Sequence, residues 1–107
     1  MHKHFTDENF AAEVIEASKE KPVLVDFFAP WCGPCKMQGP IVEELAKEMG
    51  EEASVGALNT EEARETAMRY GVMSIPTILV FRNAEVVDAF VGLQSKETLK
   101  ATLQQNK

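Results

Sequence analysis

Apolar and polar positions follow two rhythms along the chain, and the boundaries between them predict its elements. Phe10, Val14 and Ile15 recur at helical spacing behind the capping side chains of Thr6-Asp7-Glu8-Asn9, which predicts a first helix from about Asp7 to Ser18. The five residues ahead of it have room only for a short edge strand. After Lys21-Pro22 the run Val23-Leu24-Val25-Asp26-Phe27-Phe28-Ala29 is almost continuously apolar, the pattern of a central strand covered on both faces, and Pro30 ends it. A second helix is readable from Pro34 through Met37, Ile41, Leu45 and Met49, with a kink expected at Pro40, which lacks an amide donor and crowds the preceding turn. Ala53 to Leu58 reads as a strand, and Glu61 to Tyr70 as a helix closed by Gly71. Thr77-Ile78-Leu79-Val80-Phe81 and Glu85 to Val91 stand only a few residues apart and predict an antiparallel hairpin through Arg82-Asn83-Ala84. If Asn83-Ala84 forms a two-residue primed turn, Ala84 must take positive φ. Ser95 then caps a last helix carrying Leu99 and Leu103.

This order, strand and helix in alternation and then a hairpin and a helix, predicts an α/β fold: a single central mixed β-sheet flanked by helices on both faces. The alternating half must be parallel and the hairpin antiparallel. With 107 residues and no internal repeat, linker or low-complexity tract, one domain spanning 1–107 is expected. A formal net charge of -6 repels phosphate backbones and anionic lipid, so nucleic acid and membrane surfaces are not expected partners. No apolar run approaches the roughly 20 residues a bilayer span requires, and Met1-His2-Lys3-His4-Phe5 leads into polar sequence, so a cytoplasmic protein is expected.

The chemistry lies in Trp31-Cys32-Gly33-Pro34-Cys35. Two cysteines so close together cannot staple a fold, and in a reducing compartment they would remain thiols unless they cycle. Half of a zinc site is the competing reading, but tetrahedral zinc takes about four ligands, and His2 and His4 lie in what reads as a mobile, solvated N-terminus. No metal is expected. Cys32 follows a strand and Pro34 stands in the first turn of a helix, so free amides and the positive helix end favour a thiolate at Cys32. Cys35, one turn deeper on the same face, can attack a mixed disulfide formed at Cys32. Cys32 is therefore the expected nucleophile and Cys35 the resolving thiol.

Trp31-Cys32-Gly33-Pro34-Cys35-Lys36 behind the strand containing Asp26, with Ile75-Pro76-Thr77 downstream, resembles the thioredoxin family from Phe5 to the end of the chain. The resemblance implies the thioredoxin fold and a protein-disulfide reductase that acts as an electron carrier. It implies no bound cofactor beyond a redox-active Cys32-Cys35 disulfide. The implied partners are a thioredoxin reductase and protein disulfides, and the chain would be a monomer. Gly33-Pro34 is the pair typical of the family's reductants.

Asp26 interrupts the most apolar strand, where an ionised carboxylate is costly, so a functional role is favoured over a residue tolerated at an edge. The resemblance makes it the acid beneath the pair, taking a proton from Cys35 through water. The family's usual lysine beside this acid corresponds to Ala57, and a usual tryptophan corresponds to Phe28; the first departure alters the acid's tuning and the second the packing. From the residues alone, Pro76 is best read as an ordinary trans proline opening a strand. The resemblance reverses this to a cis bond, leaving Ile75 to offer its backbone to an extended substrate. Trp31, Gly33, Pro34, Met73, Ile75, Pro76, Val91 and Gly92 would form a mainly apolar substrate-binding rim, although Gly92 also fits a plain turn and Met73 a plain surface residue. Lys36 reads as a solvated charge.

Two other functions compete with the carrier. A binding module could use the same rim with its cysteines irrelevant to the role. A dedicated oxidant would need an oxidising compartment, against which the lack of an export signal counts.

Overall fold

The structure, a computed structural model, describes residues 2–107; Met1, the first residue of the N-terminal segment read above, lies outside the described residues. A five-stranded sheet runs in the order β1-β3-β2-β4-β5, with β1 Lys3–Phe5, β2 Val23–Phe28, β3 Ser54–Asn59, β4 Thr77–Arg82 and β5 Glu85–Val91. β3 pairs parallel with β1 and β2, while β4 pairs antiparallel with β2 and β5. The sheet is therefore mixed, and β2 is its central strand, as its nearly continuous apolar run predicts. Five of the six β2 residues are buried.

Helices α1 Gly33–Met49 and α3 Lys96–Gln105 pack on one face, where Leu24, Val42, Leu45, Ile78, Leu99 and Leu103 share a core. On the other face Phe10, Val14, Phe27, Ala63 and Phe81 join the helical segment 11–19 and α2 Arg64–Arg69 to the sheet. Both faces are thus covered, as expected. Lys96 Nζ ties α3 to α1 through Glu44 Oε1 at 2.6 Å and Glu48 Oε2 at 2.5 Å.

The first helix departs from its expected form. It is π-helical over Ala11–Glu16 and 3₁₀ over Ala17–Lys19, starting later than Asp7. Thr6 and Asn9 do form a reciprocal cap: Thr6 N donates to Asn9 Oδ1 at 2.7 Å and Asn9 N to Thr6 Oγ1 at 3.0 Å. Asp7 reaches across to α2, accepting from Thr66 N at 3.0 Å and Thr66 Oγ1 at 2.7 Å. Those bonds hold its carboxyl below the usual range.

The α1 face is also displaced from the one the apolar pattern indicated. Met37 is 62% exposed and Ile41 only half-buried, while Gln38 is fully buried beside Cys35, Val42, Leu45 and Met49. Gln38 earns this position with both ends of its amide, donating to Gln94 O at 3.1 Å and accepting from Gln94 N at 2.8 Å. Pro40 is carried within α1, which remains one helix from Gly33 to Met49.

β1 can approach β3 because Gly56 has no side chain: a Cβ there would stand 2.6 Å from the Lys3 carbonyl oxygen and 2.6 Å from the Phe5 ring. At the hairpin, Asn83 and Ala84 have φ of 56° and 70°, the primed geometry that an alanine tolerates poorly. Ala84→Gly is expected to stabilise the protein by about 1 kcal/mol. A chemical-denaturation midpoint that falls on this substitution would contradict the strain.

Candidate functional site

Cys32 stands where β2 gives way to α1. A turn brings its amide 3.1 Å from Ala29 O, and Cys32 becomes the residue that caps α1, its backbone still extended at φ -83° and ψ 118°. Its sulfur accepts the Cys35 amide at 3.2 Å. Serine, threonine or aspartate usually fills this position, and the same orphan amides here point at sulfur. A thiolate at Cys32 would receive that hydrogen bond together with the positive helix end, which is the stabilisation expected of a nucleophile.

Cys32 and Cys35 are joined as a disulfide, with Cα atoms 5.3 Å apart. Both cysteines are buried, Cys32 at 4% and Cys35 at 6% exposure. The two differ in their surroundings. Cys32 Sγ lies 3.8 Å from the carbonyl oxygen of Ile75. Cys35 instead lines a cavity of about 240 Å3 that runs beneath α1 to Asp26.

Asp26 is 2% exposed, paired in register with Ala57 on β3 and Ile78 on β4. Its Oδ1 makes no hydrogen bond to another protein group. Burial pushes the carboxyl up to about 7, since nothing compensates the charged form. Phe28, Ala29, Pro30 and Gly39 supply most of the remaining cavity wall, and Ala57 leaves the space beside the acid open. Lys36, otherwise exposed, stands at this wall.

The predicted rim residues are distributed around the pair. Trp31 is 68% exposed and its Nε1 donates to Glu61, which directs the ring toward the loop ahead of α2. Gly33 and Pro34 are exposed in the first turn of α1. The Ile75–Pro76 peptide bond is cis, the geometry that the resemblance implied and the residues alone did not. Pro76 is buried and Ile75 packs against the cysteines. Met73 at 95% and Val91 at 67% exposure line a shared groove with Val72 and Ala89. Gly92 has φ 93° and gives its amide to Pro76 O at 2.8 Å, so it is a turn that also anchors the cis-proline loop.

Several contributors escaped the sequence reading. Leu93, 44% exposed, extends the apolar surface beyond Gly92, and the Gln38–Gln94 bridge fixes the segment that carries both. The placement of His2 and His4 adds to the sequence reading, and His4 is exposed as expected. His4 belongs to β1, and His2 lines the Asp26 cavity. Among the described residues, no three histidine, cysteine or acidic side chains cluster as metal ligands would. No helix among them is long and apolar enough to cross a membrane.

Comparison with known proteins bears on the same arrangement. The family profile described as Thioredoxin matches residues 1–105. The chain is 50% identical to the thioredoxin of Bacillus subtilis over 95 residues, 89% of this chain and 88% of the relative. It is 47% identical to thioredoxin 1 of Synechococcus elongatus over 98 residues, 92% and 90% of the two chains. A chloroplastic M-type thioredoxin of Pisum sativum is 54% identical over 80 residues, 75% of this chain and 46% of the relative. A capping cysteine bonded to its partner one turn on, a cis-proline loop beside it and a match over nearly the whole length agree, and the chain belongs to the thioredoxin family.

Proposed function

We propose that residues 1–107 form one thioredoxin domain working as a protein-disulfide reductase, in which Cys32 attacks, Cys35 resolves and Asp26 takes the proton from Cys35. The observation that carries this assignment is the asymmetry of the two sulfurs: the cap amide bonds Cys32, while the cavity holding the buried acid reaches Cys35. Cys32 thiolate attacks a target disulfide, forming one S–S bond and releasing one target thiolate. Cys35 then gives its proton to Asp26 through water and attacks Cys32 Sγ, and the second target sulfur departs with the electron pair. The target is reduced by two electrons and the Cys32–Cys35 disulfide is restored. A separate thioredoxin reductase regenerates the dithiol.

The exposed apolar side chains of Trp31, Met73 and Val91, with Gly33, Pro34 and Gly92 between them, suit flexible disulfide segments, and Ile75 supplies backbone beside the cis-Pro76. We assign the chain to the cytoplasm, as a monomer needing no bound cofactor. The test is stoichiometric reduction of a model protein disulfide, with nicotinamide-linked and ferredoxin-linked reductases offered in turn. Turnover with either class supports the carrier. A cellular role that survives replacement of both cysteines by serine would favour the binding module.

A further inference from the structure

The register of the sheet sets His4, Ala57 and Asp26 side by side in one row across β1, β3 and β2. Registered neighbours project to the same face, so the row lies under α1, where Asp26 and Ala57 line the cavity. Ala57 offers only a methyl group, and the space it leaves extends from the acid toward the N-terminal strand. His2 stands at the wall of the same space, which opens to solvent. Its side chain is 21% exposed, its ring stacks on His4 with centroids 5.6 Å apart, and it lines the same cavity as Asp26 and Cys35. Glu43 on α1 brings Oε1 to 2.7 Å from His2 Nδ1, a buried nitrogen that makes no hydrogen bond.

The proposed reaction leaves a proton on Asp26 in every turnover, and that proton must reach solvent before the acid can serve again. Phe28, Ala29, Pro30, Gly39 and Ala57 cannot carry it. Lys36, the other charged wall residue, is an ammonium with no acceptor. A neutral imidazole has both an acceptor and a donor, which is what a relay requires. The cavity that both groups line, about 240 Å3, has room for several waters. The charged groups facing His2 are Glu43, Glu44 and Lys47 from α1 on its outer side, with His4 from β1 behind it and Lys36 and Asp26 along the cavity.

We propose that His2 is a positioning and relay residue, taking the proton from Asp26 through the cavity and passing it to solvent beside Glu43. The step is a proton transfer alone: Asp26 loses it, His2 gains and releases it, and no electrons move. The proposal rests on the reading of Asp26 as the base for Cys35, and the test separates the two.

Release of reduced target is measured in single turnover from a preformed Cys32 mixed disulfide between pH 6 and 8, with and without added imidazole. His2→Ala should slow release by about fivefold, with the deficit recovered by imidazole, while the wild type ignores it. His2→Gln, which keeps size and polarity but cannot relay in this way, should be as slow as His2→Ala. Initial attack by Cys32 should be unchanged in both. Full-rate release by His2→Ala or His2→Gln overturns the proposal, as does a slow His2→Ala that imidazole leaves slow, because that pattern marks packing alone. Asp26→Asn run in parallel keeps the readings apart. If it is slow while His2→Ala is fast, only the relay fails; if Asp26→Asn itself releases at the wild-type rate, the base assignment falls and the relay with it.

Discussion

Cys35→Ser is expected to hold a target covalently on Cys32, and Cys32→Ser to form no such adduct above background. The reason lies at the start of α1. Only Cys32 Sγ receives the Cys35 amide at the helix end, so only Cys32 has its thiolate stabilised by the cap. Once the mixed disulfide exists, the thiol able to resolve it is held one turn away, its Cα 5.3 Å from that of Cys32. Intramolecular attack from such a position corresponds to effective molarities far above any free thiol, so its loss should slow release by at least about a thousandfold. Mass spectrometry of adducts formed with a model protein disulfide reads both variants. Recovery of the target on Cys35 of the Cys32→Ser protein, at a rate comparable to wild type, would reverse the roles.

Asp26→Asn should stabilise the oxidised protein at neutral pH and slow the release of reduced target. The carboxyl is pushed by burial from 3.8 to about 7, so the folded protein holds this proton more tightly than the unfolded chain. For an acid shifted upward, the stabilising contribution is complete below the unfolded value. It is lost as pH climbs through the interval to the folded value, above which the cost is constant. The mutant's advantage should therefore be nil near pH 3, grow between about pH 4 and 7, and level off at on the order of 4 kcal/mol. Denaturation midpoints across that range measure it. Release from the mixed disulfide should fall at least about tenfold because Cys35 loses its base, while attack by Cys32 changes less. A flat stability difference from pH 5 to 8 together with wild-type release would remove Asp26 from the mechanism.

The sheet, its mixed character and the helices on both faces were legible because the apolar run of β2 and the spacing of the hairpin are local signals. The same holds for the pair itself: a strand end, a helix start and two cysteines one turn apart define Cys32 and Cys35 without reference to the rest of the chain. What was misread depended on partners distant in sequence. Met37 counted toward the buried face of α1 because it is apolar. The position was decided by Gln94, 56 residues away, whose backbone satisfies a buried Gln38. Asp7 looked like a cap for the helix that follows it, yet its carboxylate serves Thr66, 59 residues on. His2 and His4 read as a loose terminus because three strand residues carry little pattern, and only the pairing of β1 with β3 reveals what they stand beside. The cavity, likewise, is a product of register: Ala57 stood out in sequence only through the family resemblance, and it shapes the cavity because β3 places it next to Asp26.

The two borders of the sheet give this protein a different kind of protection. A free strand edge is a template for any extended chain, and a protein that acts on protein disulfides is exposed to such chains. β1 offers only three residues, too few for a lasting ladder. β5 is longer, but its pairing with β4 is irregular between Val80 and Phe81, and it carries Glu85 and Asp88 among its exposed valines. Irregular pairing and acidic side chains both discourage a further strand from adding on. With both borders blunted, the backbone pairing proposed for Ile75 is the one place, beside the sulfur, left for an extended client, and the sheet itself is not offered as a seed for further strands.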